Sequence, residues 1–411
     1  DYNDIHLNEK VARRSIFGYP VVHGINLILW AIETELSKNK FQRILNLEAS
    51  FKNSVYLNET VFLKRKIINK IIEINLYSRD RNVTSIKLDI EKIYKDNSNT
   101  KINPNLPPYE KPLEINLGEM EDNHGNLELF LNYLKLKSLF PLISDNLPKN
   151  QVATIISTSR LVGNICPGTN SIFTKISLRS EKNEKINKLL FSVSKIDKRF
   201  NLINLSIKSP SFNGEIQAFE RPPKINQKKY SEFKKVIPQE SFSNIKALVI
   251  GGSRGLGEVT TKILCAGGAE VVFTFFNGKE EAEEIVSDIQ TSGAKIKCIY
   301  LDIKENLQIN LPKVDLLVYM PTPFIFDSVK SKFSPVLFKK FLDYYIFGLH
   351  KIIENLDLSD PVIVFNPSTV AIDDLPLNMG EYSSAKAASE IMSNFLESRG
   401  TYGNCFFWSS R

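Results

Sequence analysis

Two groups of residues in this 411-residue chain have the types and spacing for chemistry. The first opens the sequence: Asp1, Asn3 and His6, then Phe17-Gly18, then His23-Gly24 and an apolar, helix-period stretch from Ile25 to Leu36. A carboxylate and an imidazole five residues apart on an ordered loop can share one water and divide general acid and base duties. Gly24 precedes the helix, where unpaired N–H groups and the positive end of the dipole favour negative charge. Such a helix start suits the oxygen of a thioester enolate, which is oxyanion-hole chemistry.

The second group begins where the strand-like Lys246–Ile250 runs into Gly251-Gly252-Ser253-Arg254-Gly255-Leu256-Gly257 and a helical stretch. Glycines between a strand and a helix let backbone approach a pyrophosphate at the helix N-terminus. The next strand-like run, Val271–Phe276, ends without an Asp or Glu for a ribose 2′-hydroxyl. Arg254 stands in the loop instead, placed for a 2′-phosphate, so NADP (NADPH) is expected over NAD. Tyr382 and Lys386, spaced i,i+4, share one helix face, where the ammonium lowers the phenol's pKa toward working pH. Ser368 and Thr369 lie 14 and 13 residues upstream, at the end of the strand-like Pro361–Asn366. A hydroxyl there can bind a substrate carbonyl.

The elements that must hold these groups change character near residue 245. Before it, alternating runs such as Ile72–Leu76 and Ser85–Leu88 predict antiparallel strands. After it, apolar runs alternate with helical stretches, the βαβ pattern of a parallel, doubly wound sheet. Residues 220–240, polar, Lys-rich and with three prolines, read as a solvated linker whose lysines form a soluble face or dock an acidic carrier. The first half carries a weak repeat. Helix-period 25–36 leads to paired strands, and about 110 residues on 127–140 reads as helix, leading to strands over 152–178.

The first group resembles the MaoC-like (R)-specific enoyl-thioester hydratases, with their D-x-N-P-x-H and F-G-x-x-x-x-H-G motifs. Asp1, Asn3, His6, Gly18, His23 and Gly24 match, and Asp4 stands where the family usually has Pro. The resemblance implies the hot-dog fold, a sheet wrapped around a central helix, with Asp1 and His6 as catalytic pair. It also implies that the Gly24 N–H polarises the thioester carbonyl and that His23 supports the turn. The second half has His124-Gly125 before its expected helix but no D-x-N-x-x-H, so it is similar to the non-catalytic, tunnel-lining half of double hot-dog hydratases. The second group resembles the short-chain dehydrogenase/reductase family over 245–411. By that resemblance Tyr382 donates a proton, Lys386 anchors the nicotinamide ribose, and Thr369 or Ser368 polarises the carbonyl. Gly251, Ser253, Arg254, Gly255, Leu256 and Gly257 hold the nucleotide, and Asp302 bonds the adenine amine. Met320-Pro321-Thr322 replaces the family's N-A-G, and Tyr345 its supporting Asn.

The expected architecture is therefore an α+β double hot-dog (1–120 catalytic, 121–219 degenerate), a linker over 220–240 and an α/β Rossmann domain over 241–411. The expected function is bifunctional: NADPH-dependent reduction of a 3-oxoacyl thioester, then dehydration to the trans-2-enoyl product. Acyl-CoA or acyl carrier protein supplies the thioester, and the family resemblance implies a homodimer. The alternatives are the degradative direction, hydration followed by NAD-linked oxidation, and a non-catalytic binding scaffold.

Composition bounds these readings. At 42% hydrophobic and 24% charged the chain can build real cores, which excludes general disorder. A net charge of +7 without a basic, aromatic-interleaved stripe does not indicate nucleic acid. No apolar run reaches the ~18–20 residues of a membrane span. Cys166, Cys265, Cys298 and Cys405 lack metal-ligand spacing, so no metal site is expected and a reducing, cytoplasm-like setting is. Beginning on a catalytic-type residue and ending inside a sheet pattern, the chain reads as a piece of a longer protein.

Overall fold

The structure is a computed structural model that describes residues 1–94, 101–183, 185–223, 226–305, 310–326, 328, 332–400 and 402–410. The chain divides into two compact units, Asp1–Lys224 and Ile225–Arg411.

In the first unit α1 (Gly24–Leu36) is followed by β1 (Arg43–Phe51), β2 (Phe62–Ile68), β3 (Ile71–Ser78) and β4 (Arg81–Glu91). After β5 (His124–Glu128) the order repeats as α2 (Lys149–Arg160), β6 (Ser171–Ser180), β7 (Lys188–Asp197), β8 (Leu202–Lys208) and β9 (Phe212–Glu220). The nine strands form one sheet, β2-β3-β4-β1-β6-β9-β8-β7-β5, in which every neighbour is antiparallel. The halves join where β1 meets β6, in register from Asn46↔Arg179 to Ser50↔Lys175. The expected boundary at 120/121 is thus not a break between bodies, because the halves share one sheet and one apolar core. That core takes Ile28 and Ile32 from α1, Val152 and Ile155 from α2, and Leu47, Ile74 and Ile176 from strands. Each such buried side chain contributes about 1.5–3 kcal/mol relative to exposure.

Two expectations for the second half are corrected. Val152–Arg160, rich in β-branched residues and expected as strand, is helix α2. All of its residues from Asn150 to Arg160 except Ile156 are buried, so no one-sided period marks it. Gln151 meanwhile pairs with both backbone groups of Ile44, at 3.0 and 2.8 Å, beside the β1 irregularity between Ile44 and Asn46. The expected helix over 127–140 is helical only over Tyr133–Leu139, and His124-Gly125 lies on edge strand β5, not at a helix start. The supposed linker is also partly built in. Tyr230, 4% exposed, donates from its backbone N–H to Asp288 and from its hydroxyl to the Cys265 carbonyl.

The second unit runs β10 (Lys246–Ile250), α3 (Gly255–Ala266), β11 (Glu270–Phe275), α4 (Lys279–Gln290), β12 (Ile296–Tyr300) and β13 (Leu316–Tyr319). Then come α5 (Pro335–Leu342), a π-helical turn (Asp343–Phe347), α6 (Gly348–Glu354), β14 (Val362–Phe365), α7 (Gly380–Ser398) and β15 (Cys405–Trp408). The sheet is parallel throughout, in the order β12-β11-β10-β13-β14-β15. This is the doubly wound order, and its switch point lies between β10 and β13. Among the described residues no helix joins β12 to β13, so the alternation is less complete than expected. No helix among them is long and apolar enough to cross a membrane.

Candidate active sites

In the first unit, Asn3 caps a one-turn helix, Asp4–Leu7, through its side-chain oxygen. Its amide, buried to 1% exposure, donates to the carbonyls of Gly168 and Thr169 at 3.2 and 3.1 Å. The N-terminal loop is thereby tied to the second half. Asp1 Oδ1 accepts from Asn3 N at 2.9 Å, and Oδ2 accepts from Ser159 Oγ at 2.8 Å. His6 Nε2 and His23 Nε2 face the same Oδ2 at 4.0 and 3.6 Å, their rings stacked with centroids 3.7 Å apart.

Both imidazoles are neutral. Burial lowers His6 to about 4 despite the opposing carbonyl of Val21, and burial together with the neighbouring His6 lowers His23 further. Because His6 Nδ1 lies 2.7 Å from the Val21 carbonyl, Nδ1 carries the proton and Nε2 presents a lone pair toward Asp1. The separation from the carboxylate is one that a single water spans.

Asp1 and His6 line a cleft of about 140 Å³ together with Gly24, Phe51, Ser159 and Phe173. Gly24 is the first residue of α1, so its N–H has no intrahelical acceptor. A Cβ there would stand 2.7 Å from the Phe51 ring. His23, expected only to support the turn, does more, since it stacks on His6 and faces Asp1.

Sequence reasoning missed Ser159 and Gly163. Gly163 lies in a π-helical turn, Leu161–Ile165, that extends α2, and a Cβ on it would come within 2.2 Å of Asp1 Oδ1. The second half therefore seats the catalytic-type carboxylate as well as lining the cleft. No local signal marks either residue, because each meets its partner across about 160 positions of chain.

In the second unit the glycine loop lies at the switch point. Gly251, at φ +76°, donates to Thr274 Oγ1 at 3.0 Å, and Gly252 N donates to the Thr274 carbonyl. A Cβ on Gly257 would stand 2.2 Å from the Gly251 carbonyl oxygen, so loop and helix close only around glycine. Gly255, at φ +56°, faces open space and starts the twelve-residue α3. The geometry fits a pyrophosphate on the α3 N-terminus. Arg254 is the N-cap, Ser253 is buried, Leu256 is exposed, and Asp302 lies just past β12 with its carboxylate accepting from Lys304 N.

Tyr382 and Lys386 share a face of α7. Lys386 Nζ donates to the Pro367 carbonyl at 2.7 Å and sits 4.3 Å from the centre of the Tyr345 ring. Burial lowers its pKa to about 8, opposed by Glu390. The Tyr382 ring meets Tyr345 and Phe341 edge-on at 5.8 Å. Tyr345, where the family has Asn, lies in the π-helical turn and exchanges a 2.6 Å hydrogen bond with Thr322 Oγ1. It substitutes an aromatic wall for an amide. Of the two hydroxyls proposed to polarise a carbonyl, Ser368 is engaged by Glu390, while Thr369 Oγ1 accepts from Ala371 N at 3.2 Å. Both hydroxyls therefore already hold one partner, a carboxylate for Ser368 and a backbone N–H for Thr369.

Residues 246–320 match the family described as short chain dehydrogenase. The matched stretch lies within the second unit. The chain is similar, at 24% identity over 161 residues, to an uncharacterized oxidoreductase of Methylorubrum extorquens. The match covers 36% of this chain and 64% of that protein. Among solved structures, the FolM alternative dihydrofolate reductase 1 from Brucella canis, complexed with NADP, is 18% identical. The likeness covers 42% of this chain and 72% of that one, with a TM-score of 0.37. A dehydrogenase/reductase from Sinorhizobium meliloti 1021 is 23% identical over 43% of this chain and 72% of that one, with a TM-score of 0.36. The stretch similar to that family takes in the glycine loop and Asp302 and ends at Met320, before Tyr382 and Lys386.

Proposed function

We propose that the chain is a bifunctional acyl-thioester enzyme. Its short chain dehydrogenase domain reduces a 3-oxoacyl thioester, and its first unit, read as a double hot-dog, interconverts the 3-hydroxyacyl and trans-2-enoyl thioesters. One observation carries the pairing: the chain holds a glycine loop and a Tyr–Lys helix face in one unit and an Asp–His cleft at a helix start in the other. The product of the first chemistry is the substrate of the second. Acyl-CoA or acyl carrier protein is the thioester handle.

In the reductase, Tyr382 gives its phenolic proton to the carbonyl oxygen while Thr369 steadies that oxygen, and the Lys386 ammonium stabilises the phenolate left behind. A bound nicotinamide dinucleotide supplies the hydride. In the hydration direction, a water between Asp1 Oδ2 and His6 Nε2 loses a proton to Nε2 as its oxygen bonds to C3. The imidazolium, stabilised by Asp1, then returns a proton to C2. The Gly24 N–H holds the thioester oxygen that carries the transient negative charge. Dehydration is the reverse.

Arg254 in the loop and the lack of an acid at the end of β11 support NADP. Arg254→Ala is expected to weaken NADPH binding about 10–100-fold with little effect on NADH, the value of a charge-assisted contact. Titration of both nucleotides checks this. Lys386, lowered to about 8 by burial, sets a pH limit: reductase turnover falls as pH rises through about 8 and the ammonium is lost. A rate–pH profile that stays flat to pH 9.5 would contradict that assignment. The hydratase reading is tested by crotonyl-thioester hydration, with His6→Ala as control. Equal rates in both proteins refute it.

A further inference from the structure

We propose that Asp1, His6 and His23 form a binding site for a divalent transition-metal ion of the zinc class. The site goes beyond the hydratase reading and stands or falls separately from it. One ligand atom from each residue, Asp1 Oδ2 and the two Nε2 atoms, lies within 4.8 Å of the others. The two stacked rings present their Nε2 atoms to one oxygen at 4.0 and 3.6 Å. A tetrahedral zinc ion with bonds of about 2.0–2.1 Å holds its ligand atoms about 3.4 Å apart. Closing the triangle brings the Nε2 atoms of His6 and His23 in from 4.0 and 3.6 Å and turns the stacked rings so that both lone pairs face the ion. Two imidazole nitrogens and one carboxylate suit zinc and its neighbours, whereas magnesium prefers oxygen ligands in an octahedron.

Two features beyond proximity argue for a built site. The outer partners that orient metal ligands are in place: His6 Nδ1 is fixed by the Val21 carbonyl at 2.7 Å, and Ser159 Oγ donates to Asp1 Oδ2 at 2.8 Å. In addition, His23 Nε2 is buried, 3.6 Å from the carboxylate, and has no hydrogen-bond partner among the described residues. The adjoining cleft leaves a fourth position for water. A metal ion here takes the place of the water that hydration needs, so it inhibits that reaction.

The test is calorimetric titration of the full chain with Zn²⁺. One equivalent is expected to bind, at least about tenfold more weakly in His6→Gln and in His23→Gln, and unchanged in His124→Gln. Co²⁺ should give the visible bands of a four-coordinate centre, and Mg²⁺ should not bind. Absence of stoichiometric Zn²⁺ binding, or binding that survives both substitutions in folded chains, overturns the proposal. If either variant fails to fold, the wild-type Co²⁺ spectrum decides, and a purely octahedral spectrum overturns it. A chain that binds Zn²⁺ as expected yet does not hydrate crotonyl-thioester keeps this site and loses the hydratase reading.

Discussion

Gly163→Ala is expected to lower crotonyl-thioester hydration about 100-fold or more while leaving NADPH-dependent reduction unchanged. The added Cβ would lie 2.2 Å from Asp1 Oδ1, a separation that non-bonded atoms do not tolerate. Either the π-helical turn opens or the carboxylate moves. The turn is anchored, since Asn164 accepts Tyr2 N at 2.8 Å and donates to the Glu110 carbonyl at 3.2 Å. The carboxylate therefore yields, breaking its contacts with Asn3 N and Ser159 Oγ and leaving the line of His6. A misplacement of about 1 Å at a reacting group costs about 10²-fold in rate. The measurement is hydration kinetics on variant chains whose melting curves match wild type, and a wild-type rate would refute the seating role of the second half. Ser159→Ala removes only one donor to Asp1, so a smaller loss, about 3–10-fold, is expected from the same assay.

Tyr382→Phe is expected to cut reductase turnover about 10²–10⁴-fold without weakening nucleotide binding, as the loss of a positioned proton donor does. The aromatic packing supports a clean outcome. Phenylalanine keeps the edge-on contacts with Tyr345 and Phe341, and Lys386 keeps its bond to the Pro367 carbonyl. Nucleotide titration should thus match wild type while turnover collapses. Retained turnover would place the proton donor elsewhere, and Tyr345 would be the next residue to test, since it faces both Tyr382 and Lys386.

What could be read from sequence was local. The glycine loop, the Tyr382–Lys386 spacing and the βαβ alternation are written within a few turns of chain, and the parallel sheet follows from them. Asp1 and His6 were legible for the same reason. The partners of Asp1 were not, because Ser159 and Gly163 meet it only after two halves share a sheet. Val152–Arg160 misled because burial on nearly all sides erases the helical period and leaves only its β-branched composition. His124-Gly125 misled by likeness to His23-Gly24, although the first pair is in a strand and the second starts a helix. Tyr345 was found by position alone. That its ring covers the Lys386 ammonium depends on the π-helical turn that carries it.

The central claim is that one chain performs two consecutive steps on a thioester. Incubating it with NADPH and a 3-oxoacyl thioester, and following nucleotide absorbance and products together, tests this most directly. The account predicts NADPH consumption with formation of the trans-2-enoyl thioester in wild type, 3-hydroxyacyl thioester accumulating in His6→Ala, and neither product in Tyr382→Phe. Wild-type protein that consumes no NADPH, or that stops at the 3-hydroxyacyl thioester at the same level as His6→Ala, would contradict it.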